Sequence, residues 1–358
     1  MPFCASRTSY YLDVITGRRK GMAASLIRAG LTVPAYCLWM PISFAARWYK
    51  LFGPHRPYRP PCPVISIGNL TAGGTGKTPM VEWLARRLKA GSRRPAVLSR
   101  GYRATSGTAN DESEVLSDHL VDVPILTGKD RAASARGALE QGLANCFVLD
   151  DGFQHYAMAR DLDIVLIDCL LPFGGGHLLP RGLLREAMSA LRRADVVVMT
   201  RSDQVSRERK RSIRDRIARI DASLPIAEAI HAPVDLMNGV TGERTDLEFV
   251  RDKTALLFSG IGNPEGFEKT AESLGVRMAG NFRFRDHHRY TDDELTAVAR
   301  EAEKNECDAA LTTEKDVVKI GRCWKSRIPL MAVRVRFEIT TGENILMALV
   351  ESALAPRS

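Results

Sequence analysis

The sequence predicts an α/β protein: two unequal parallel-sheet domains behind an N-terminal hydrophobic helix. Three observations carry that prediction. Continuous apolar runs alternate with helical segments twice, from Val64 to Ile220 and from Thr254 to Ala353; such strands are buried on both faces of a parallel sheet. The apolar run Val64–Ile67 leads into a glycine-rich loop and a Lys-Thr pair that opens a helix. An uncharged stretch from Ala29 to Ala46 precedes both series. The expected divisions are 1–60 (extension and hydrophobic helix), 61–250 (phosphate-loop domain) and 251–358 (second α/β domain).

Residues 1–21 show no clear period and carry Arg18-Arg19-Lys20. Arg28 precedes the uncharged stretch, Arg47 and Lys50 follow it, and Trp39, Trp48 and Tyr49 lie in or near it. A spanning helix needs about 20 apolar residues, and this run is shorter and contains Pro34 and Pro41. A secretory signal would export a nucleotide site to where nucleotide is scarce. A plain buried helix is the bland alternative. An interfacial helix fits best, because apolar bulk is flanked by cations and headgroup-seeking aromatics. Phe52 to Pro63, rich in proline and arginine, reads as an extended linker.

The loop reads Gly68-Asn69-Leu70-Thr71-Ala72-Gly73-Gly74-Thr75-Gly76-Lys77-Thr78. Glycines let successive N–H groups turn inward at phosphate oxygens, and the helix N-terminus adds positive potential. Lys77 supplies a full charge for β- and γ-phosphates, and Thr78 is placed to ligate magnesium. This is a P-loop NTPase layout with Thr71 where the usual motif has its first glycine. Gly68, Asn69 and Thr71 through Thr78 are therefore the expected ATP contacts.

Further strands are expected at Ala96–Arg100, Pro124–Leu126, Cys146–Asp150, Ile164–Asp168 and Val196–Thr200, with helices at Thr78–Ala90, Arg131–Gly142 and Arg209–Ile220. The strand Cys146–Asp150 ends in Asp150-Asp151, where a P-loop protein needs acids to hold Mg²⁺; solvated turn acids are the alternative. Gln154 and His155 follow as a candidate switch that senses the γ-phosphate. After Gly174-Gly175-Gly176, Arg181 and Arg185 are placed to grip phosphate, solvated arginines on a helix after a glycine loop being the alternative, and Arg185, Gln154 and His155 are the expected substrate contacts. Asn110-Asp111-Glu112 offers an acid that deprotonates an acceptor hydroxyl, although surface acids suit that loop as well. Thr200-Arg201-Ser202-Asp203 keeps only the aspartate of the N-K-x-D guanine signature. Beyond the helix Arg209–Ile220, residues 205–250 look polar and connecting.

The second series is expected as strand Ala255–Ser259, helix Pro264–Leu274, strand Arg277–Phe284, helix Asp292–Asn305, strands Ala309–Thr312 and Leu330–Arg336, and helix Gly342–Ala353. Asp286-His287-His288 lies between a strand and a helix, where an Asp-His pair serves acid–base chemistry or caps the helix. Ligands of such sheets bind at the C-terminal strand ends, so the expected active site lies between the domains.

The 358 residues are 45% hydrophobic and 26% charged, with net charge +9; that balance favours anionic partners. Aromatics make up 7% and are not interleaved with basic residues, which argues against nucleic acid. Cys4, Cys37, Cys62, Cys146, Cys169, Cys307 and Cys323 form no C-x-x-C; this reads as a reducing cytosol without a zinc site or disulfide framework.

In order, IGNLTAGGTGKTP (67–79), LSRGY (98–102), DDGFQH (150–155), LPRGLLRE (179–186), SGIGNPEGF (259–267), DHH (286–288) and TEKDVVK (313–319) resemble the tetraacyldisaccharide 4'-kinases, the lipid A kinases of Gram-negative bacteria. The resemblance runs from about Ser25 to near the C-terminus, and threonine at position 71 belongs to it. It implies transfer of the ATP γ-phosphate, with Mg²⁺, to the 4'-hydroxyl of a tetraacyldisaccharide 1-phosphate. It implies a peripheral protein on the cytoplasmic leaflet of the inner membrane, docked by its N-terminal helix. It also implies an Asp–His catalytic pair at Asp111 and His287, alongside Lys77, with Thr78, Asp150 and Asp151 around the metal. The acid motif here lacks the family's flanking glycine and proline. Residues 1–24 lie outside the resemblance and read as a variable extension or an upstream start, Met22 being the other start. The rival readings are a P-loop GTPase or ATPase switch and a metallochaperone-like protein. The GTP switch or metallochaperone would want N-K-x-D and Cys/His ligands, and neither is in the sequence; a ParA/MinD-like ATPase would want a lysine five residues before Lys77, where Ala72 stands.

Overall fold

The computed structural model describes residues 7–52, 57–100, 116–117, 119–286, 288–320 and 323–355. These form two compact units, 1–230 with 339–358, and 231–338.

The first unit carries strands β1 (Val64–Asn69), β2 (Pro95–Ser99), β3 (Ile125–Thr127), β4 (Cys146–Asp150), β5 (Leu162–Asp168) and β6 (Val196–Thr200). The first half of β7 (Ile226–Asn238) and the end of β12 (Leu330–Thr341) also belong to it. The order is β3-β2-β4-β1-β5-β6-β7, with parallel pairing throughout. Both faces of β1, β4, β5 and β6 are buried, which explains the unbroken apolar runs in sequence. One face packs Ala96, Leu98, Phe147 and Leu149 on Ala135 and Ala138 of α4 (Arg131–Glu140). The other packs Val165, Ile167, Val197 and Met199 on Ile213 and Ile217 of α5 (Arg207–Ala218). Helix α3 (Lys77–Ala90) buries Met80, Val81, Leu84, Ala85 and Leu88, each of the larger side chains worth about 1.5–3 kcal/mol relative to exposure. Parallel strands put all their C-terminal ends at one edge. The registers Ile67↔Asp150 and Asp168↔Thr200 bring the chemically interesting residues to that edge.

Two helices precede the sheet: α1 (Arg7–Ile15) and the 31-residue α2 (Met22–Phe52), which continues through both prolines. Sequence showed no period over α1; among its residues whose burial is described, 10–15, the buried ones are Val14 and Ile15 at its end. Tyr11 Oη donates to Pro180 O, and Arg28 donates to Val14 O (3.3 Å) and Arg19 O (2.9 Å). Among the α2 residues whose burial is described, 22–37, the buried or half-buried ones are Ala24, Arg28, Leu31, Thr32 and Ala35. Met22, Leu26, Ala29, Val33 and Tyr36, spaced four, three, four and three, form an exposed stripe on the opposite face. Among the described residues no helix is long and apolar enough to cross a membrane.

The second unit holds β9 (Thr254–Ser259), β10 (Arg277–Arg283), β11 (Ala309–Thr313) and most of β12, in the parallel order β12-β11-β9-β10. The short strand β8 (Arg244–Thr245) pairs with the second half of β7. Asn263 caps α6 (Pro264–Ser273), and a Thr291–Glu294 capping box starts α7 (Asp292–Lys304). A further helix, α8 (Glu314–Ile320), occupies the TEKDVVK motif that sequence left unassigned. The last helix, α9 (Glu343–Leu354), belongs to the first unit.

The stretch 205–250 corrects an expectation, because beyond α5 it contains the 13-residue strand β7. Its apolar positions are diluted by Glu228, His231 and Asp235. Pro233 separates the residues that pair with β6 from those that pair with β8, so no alternation was visible.

Candidate active site

The loop after β1 needs glycine where φ is positive, at Gly73 (118°) and Gly76 (91°). Gly76 is the N-cap of α3 and provides no side-chain cap, and the first turn holds no acid. The first amides of α3 therefore lack an intrahelical or capping partner, and the helix end is ready for an anion. Thr71 has no positive φ. It forms a bridge with Leu184, flanked by Ala72 N→Leu183 O and Arg185 N→Leu70 O, both 2.8 Å. An extended, paired residue does not require glycine, which accounts for the threonine. At Gly68 the constraint is space, because a Cβ would come within 2.5 Å of Phe153 Cβ. The DDGFQH segment thus crosses directly over β1.

That pairing of LPRGLLRE with the loop aims Arg185 at Asp151. Arg185 Nη1 lies 3.0 and 2.9 Å from the two carboxylate oxygens, and Lys77 Nζ lies 3.5 Å from Oδ1. Burial pushes the Asp151 carboxyl up, but Lys77, Arg185 and Arg131 outweigh it and hold it below the usual range. Asp151 has φ 49°, a left-handed conformation that turns its side chain toward the two cations. Its neighbour Asp150 is buried and accepts from Ser99 Oγ (3.1 Å). Gln154 Nε2 donates to Asn69 O (2.9 Å), and Asn69 Nδ2 donates to Thr75 Oγ1 (2.8 Å). His155 Nε2 is buried without a hydrogen-bond partner among the described residues. Burial first, then Arg131 and Arg160, push its pKa down to about 4.

The structure thus gathers Lys77, Asp151, Gln154 and Arg185 around the loop. Arg181 instead turns to α1, where Nη1 lies 3.5 Å from Ile15 O. Asp111 and His287 lie outside the described residues. Sequence reasoning missed Arg131, a buried cation close enough to act on Asp150, Asp151 and His155. An arginine at the first position of a helix reads as a surface residue, and only the fold reveals its burial. Chemically, Lys77, Arg185, Arg131 and the α3 amides surround a negative group, and Asp151 now stands where a phosphate charge would be balanced.

The family model described as tetraacyldisaccharide-1-P 4'-kinase (LpxK) matches residues 29–355. A tetraacyldisaccharide 4'-kinase of Anaeromyxobacter sp. (strain K) is 42% identical over 311 residues, 82% of this chain and 82% of its own length. One from Syntrophus aciditrophicus is 40% identical over 319 residues, covering 83% and 85%. A crystal structure of LpxK from Aquifex aeolicus in complex with ATP matches with a TM-score of 0.68 at 27% identity, over 92% of this chain and 100% of that one.

Proposed function

This chain belongs to the tetraacyldisaccharide-1-P 4'-kinase family, and from that premise we propose how its own residues carry the activity. The protein is a kinase that moves the γ-phosphate of ATP to the 4'-hydroxyl of a tetraacyldisaccharide 1-phosphate, a lipid A precursor. The observation that carries the assignment is the family match across 29–355, joined to the Lys77–Asp151–Arg185 cluster at the uncapped start of α3. The switch and metallochaperone readings are not favoured.

The loop amides and Lys77 hold the β- and γ-phosphates. Arg185 leaves Asp151 for a phosphoryl oxygen and balances charge that spreads over the transferring group. Thr78 and Asp150, with Asp151, would hold Mg²⁺. A hydroxyl and carboxylates are the hard oxygen donors that this ion takes alongside phosphate and water, and when bound it would supply positive charge to offset that of the phosphates. Asp111 takes the proton of the 4'-hydroxyl, and His287 orients Asp111 or tunes its pKa. Gln154 and His155 contact substrate from the segment that crosses β1.

An interfacial role for α2 is supported by its exposed stripe Met22, Leu26, Ala29, Val33 and Tyr36. The net charge of +9 suits the anionic cytoplasmic leaflet of the inner membrane. The decisive assay supplies purified protein with labelled ATP, Mg²⁺ and the tetraacyldisaccharide 1-phosphate in detergent. A 4'-phosphorylated lipid is the expected product. Nucleotide binding without that product would sink the assignment.

A further inference from the structure

Behind the phosphate loop, the ends of β5 and β6 make contacts that the reaction as described does not use. Thr200, the last residue of β6, is fully buried and donates from Oγ1 to Thr75 O at 2.9 Å. Arg201 donates from Nη1 to Gly74 O (3.2 Å) and to Asp168 Oδ2 (2.8 Å). Asp168, the last residue of β5, also accepts Leu170 N at 3.0 Å on its other oxygen. The Arg201–Asp168 pair is nearly sealed from solvent, at 12% and 7% side-chain exposure. Arg201 has φ 54° and ψ 39°, a left-handed conformation that residues with a Cβ avoid. Its guanidinium bonds hold it there.

Peptide planarity gives these contacts a consequence. The carbonyl of Gly74 shares a plane with the N–H of Thr75, and that of Thr75 with the N–H of Gly76. Each carbonyl points opposite to its partner N–H. A donor that captures the carbonyl from behind therefore turns the amide to the front, toward an anion in the loop. A carbonyl that swung forward would repel phosphate oxygens. Asn69 holds the third handle, the Thr75 side chain, from the end of β1.

We propose that Thr200 and Arg201 are positioning residues for phosphoryl transfer, clamping the Gly74 and Thr75 carbonyls so that the amides of Thr75 and Gly76 face the ATP phosphates, with Asp168 orienting Arg201. The clamp touches no substrate. It rests on the assignment of this loop to ATP, and it adds a preorganised backbone to the charges of Lys77 and Arg185.

The test is equilibrium ATP binding to the full chain without acceptor, followed by steady-state kinetics in both substrates. Thr200→Val keeps the shape and removes the donor. It weakens ATP binding about tenfold, the size of one lost hydrogen bond to a buried carbonyl. It raises the KM for ATP in parallel and leaves the KM for the lipid acceptor unchanged. Thr200→Ser restores both, and Asp168→Asn shifts ATP binding in the same direction as Thr200→Val. Wild-type ATP affinity in both Thr200→Val and Asp168→Asn would overturn the clamp. So would equal rises in the two KM values that Thr200→Ser fails to reverse, because general loosening of the fold affects both substrates. Should Thr200→Val not fold, Asp168→Asn against wild type gives the same readout. Failure of the ATP reading itself looks different, because wild-type protein would then not bind ATP.

Discussion

The phosphate loop and helix α2 belong to the same unit and treat their side chains in opposite ways. Around the loop, polar groups from β1, β5, β6, the DDGFQH segment and LPRGLLRE are tied to one another: Asn69 to Thr75, Gln154 to Asn69, Arg185 to Asp151, Arg201 to Asp168. Along the described part of α2, the apolar side chains of Met22, Leu26, Ala29, Val33 and Tyr36 line an exposed stripe. Water is a good solvent for the tied groups and a poor one for the open stripe. A chain that fixes the first kind and leaves the second exposed presents one braced polar surface and one open apolar one. The contrast matches two substrates of unlike chemistry, a soluble polyphosphate and an acylated sugar.

The sharpest way to break the contrast is at its charged centre. Lys77→Ala removes the cation that faces Asp151 and, with nucleotide bound, the phosphates. Turnover in the lipid phosphorylation assay falls by several powers of ten. Near-normal turnover of a folded Lys77→Ala protein would mean that the tied region is bracing alone. Next in size, Asp111→Ala and His287→Ala each lower kcat by about a hundredfold or more while ATP affinity holds. If they act as a unit, the double variant is little slower than either single one. Fully additive losses would separate the pair, and unchanged turnover in Asp111→Ala would move the base elsewhere, with Glu112 first.

A smaller effect tests the open side. Truncating residues 1–50 would be a blunt instrument, because Tyr11, Ile15 and Arg28 tie α1 and the root of α2 to one another and to the Gly175–Arg181 loop. Leu26→Glu and Val33→Glu, at 68% exposure each, disturb no packing. Each lowers partition onto anionic vesicles by about tenfold, since a side chain of this size contributes about 1.5–3 kcal/mol when buried. Wild-type protein binds anionic vesicles more tightly than neutral ones and releases as salt rises. Sedimentation that shows equal binding by wild type and both variants would take the stripe out of lipid capture.

Much of this division was legible in the chain. The phosphate loop is local, with strand, glycines, Lys-Thr and helix running consecutively, so β1 and α3 fall where sequence placed them. The uncharged run stood out for the same reason. What sequence hid is what distant segments do to each other. Thr200 and Arg201 reach the loop across 125 and 127 residues, and as sequence they looked only like a failed guanine signature. The family resemblance already accommodated Thr71, but the physical reason for it, pairing with Leu184, lies 113 residues away. Strand β7 was obscured by its own composition, and Arg131 gains its meaning only from burial beside Asp150 and Asp151.

The smallest expected effect probes a poorly satisfied group on the braced side, His155. His155 is half-buried, its Nε2 is buried and unpartnered among the described residues, and its pKa is pushed down to about 4 from 6.5 by burial first, then by Arg131 and Arg160. Between those values the unfolded chain binds a proton that the folded chain refuses. Stability therefore rises with pH across this window. The contribution is complete above about pH 6.5 and is lost as the pH falls toward 4. His177 is shifted the same way, by burial and by Arg181 and Arg216, so wild type alone cannot isolate His155. The comparison is thermal midpoint against pH for wild type and His155→Gln. Wild type loses more of its midpoint between pH 6.5 and 4 than the variant does, and the two curves run parallel above 7. Parallel curves throughout would mean that His155 meets water and charges freely, and that the braced region is more open at this point than its burial implies.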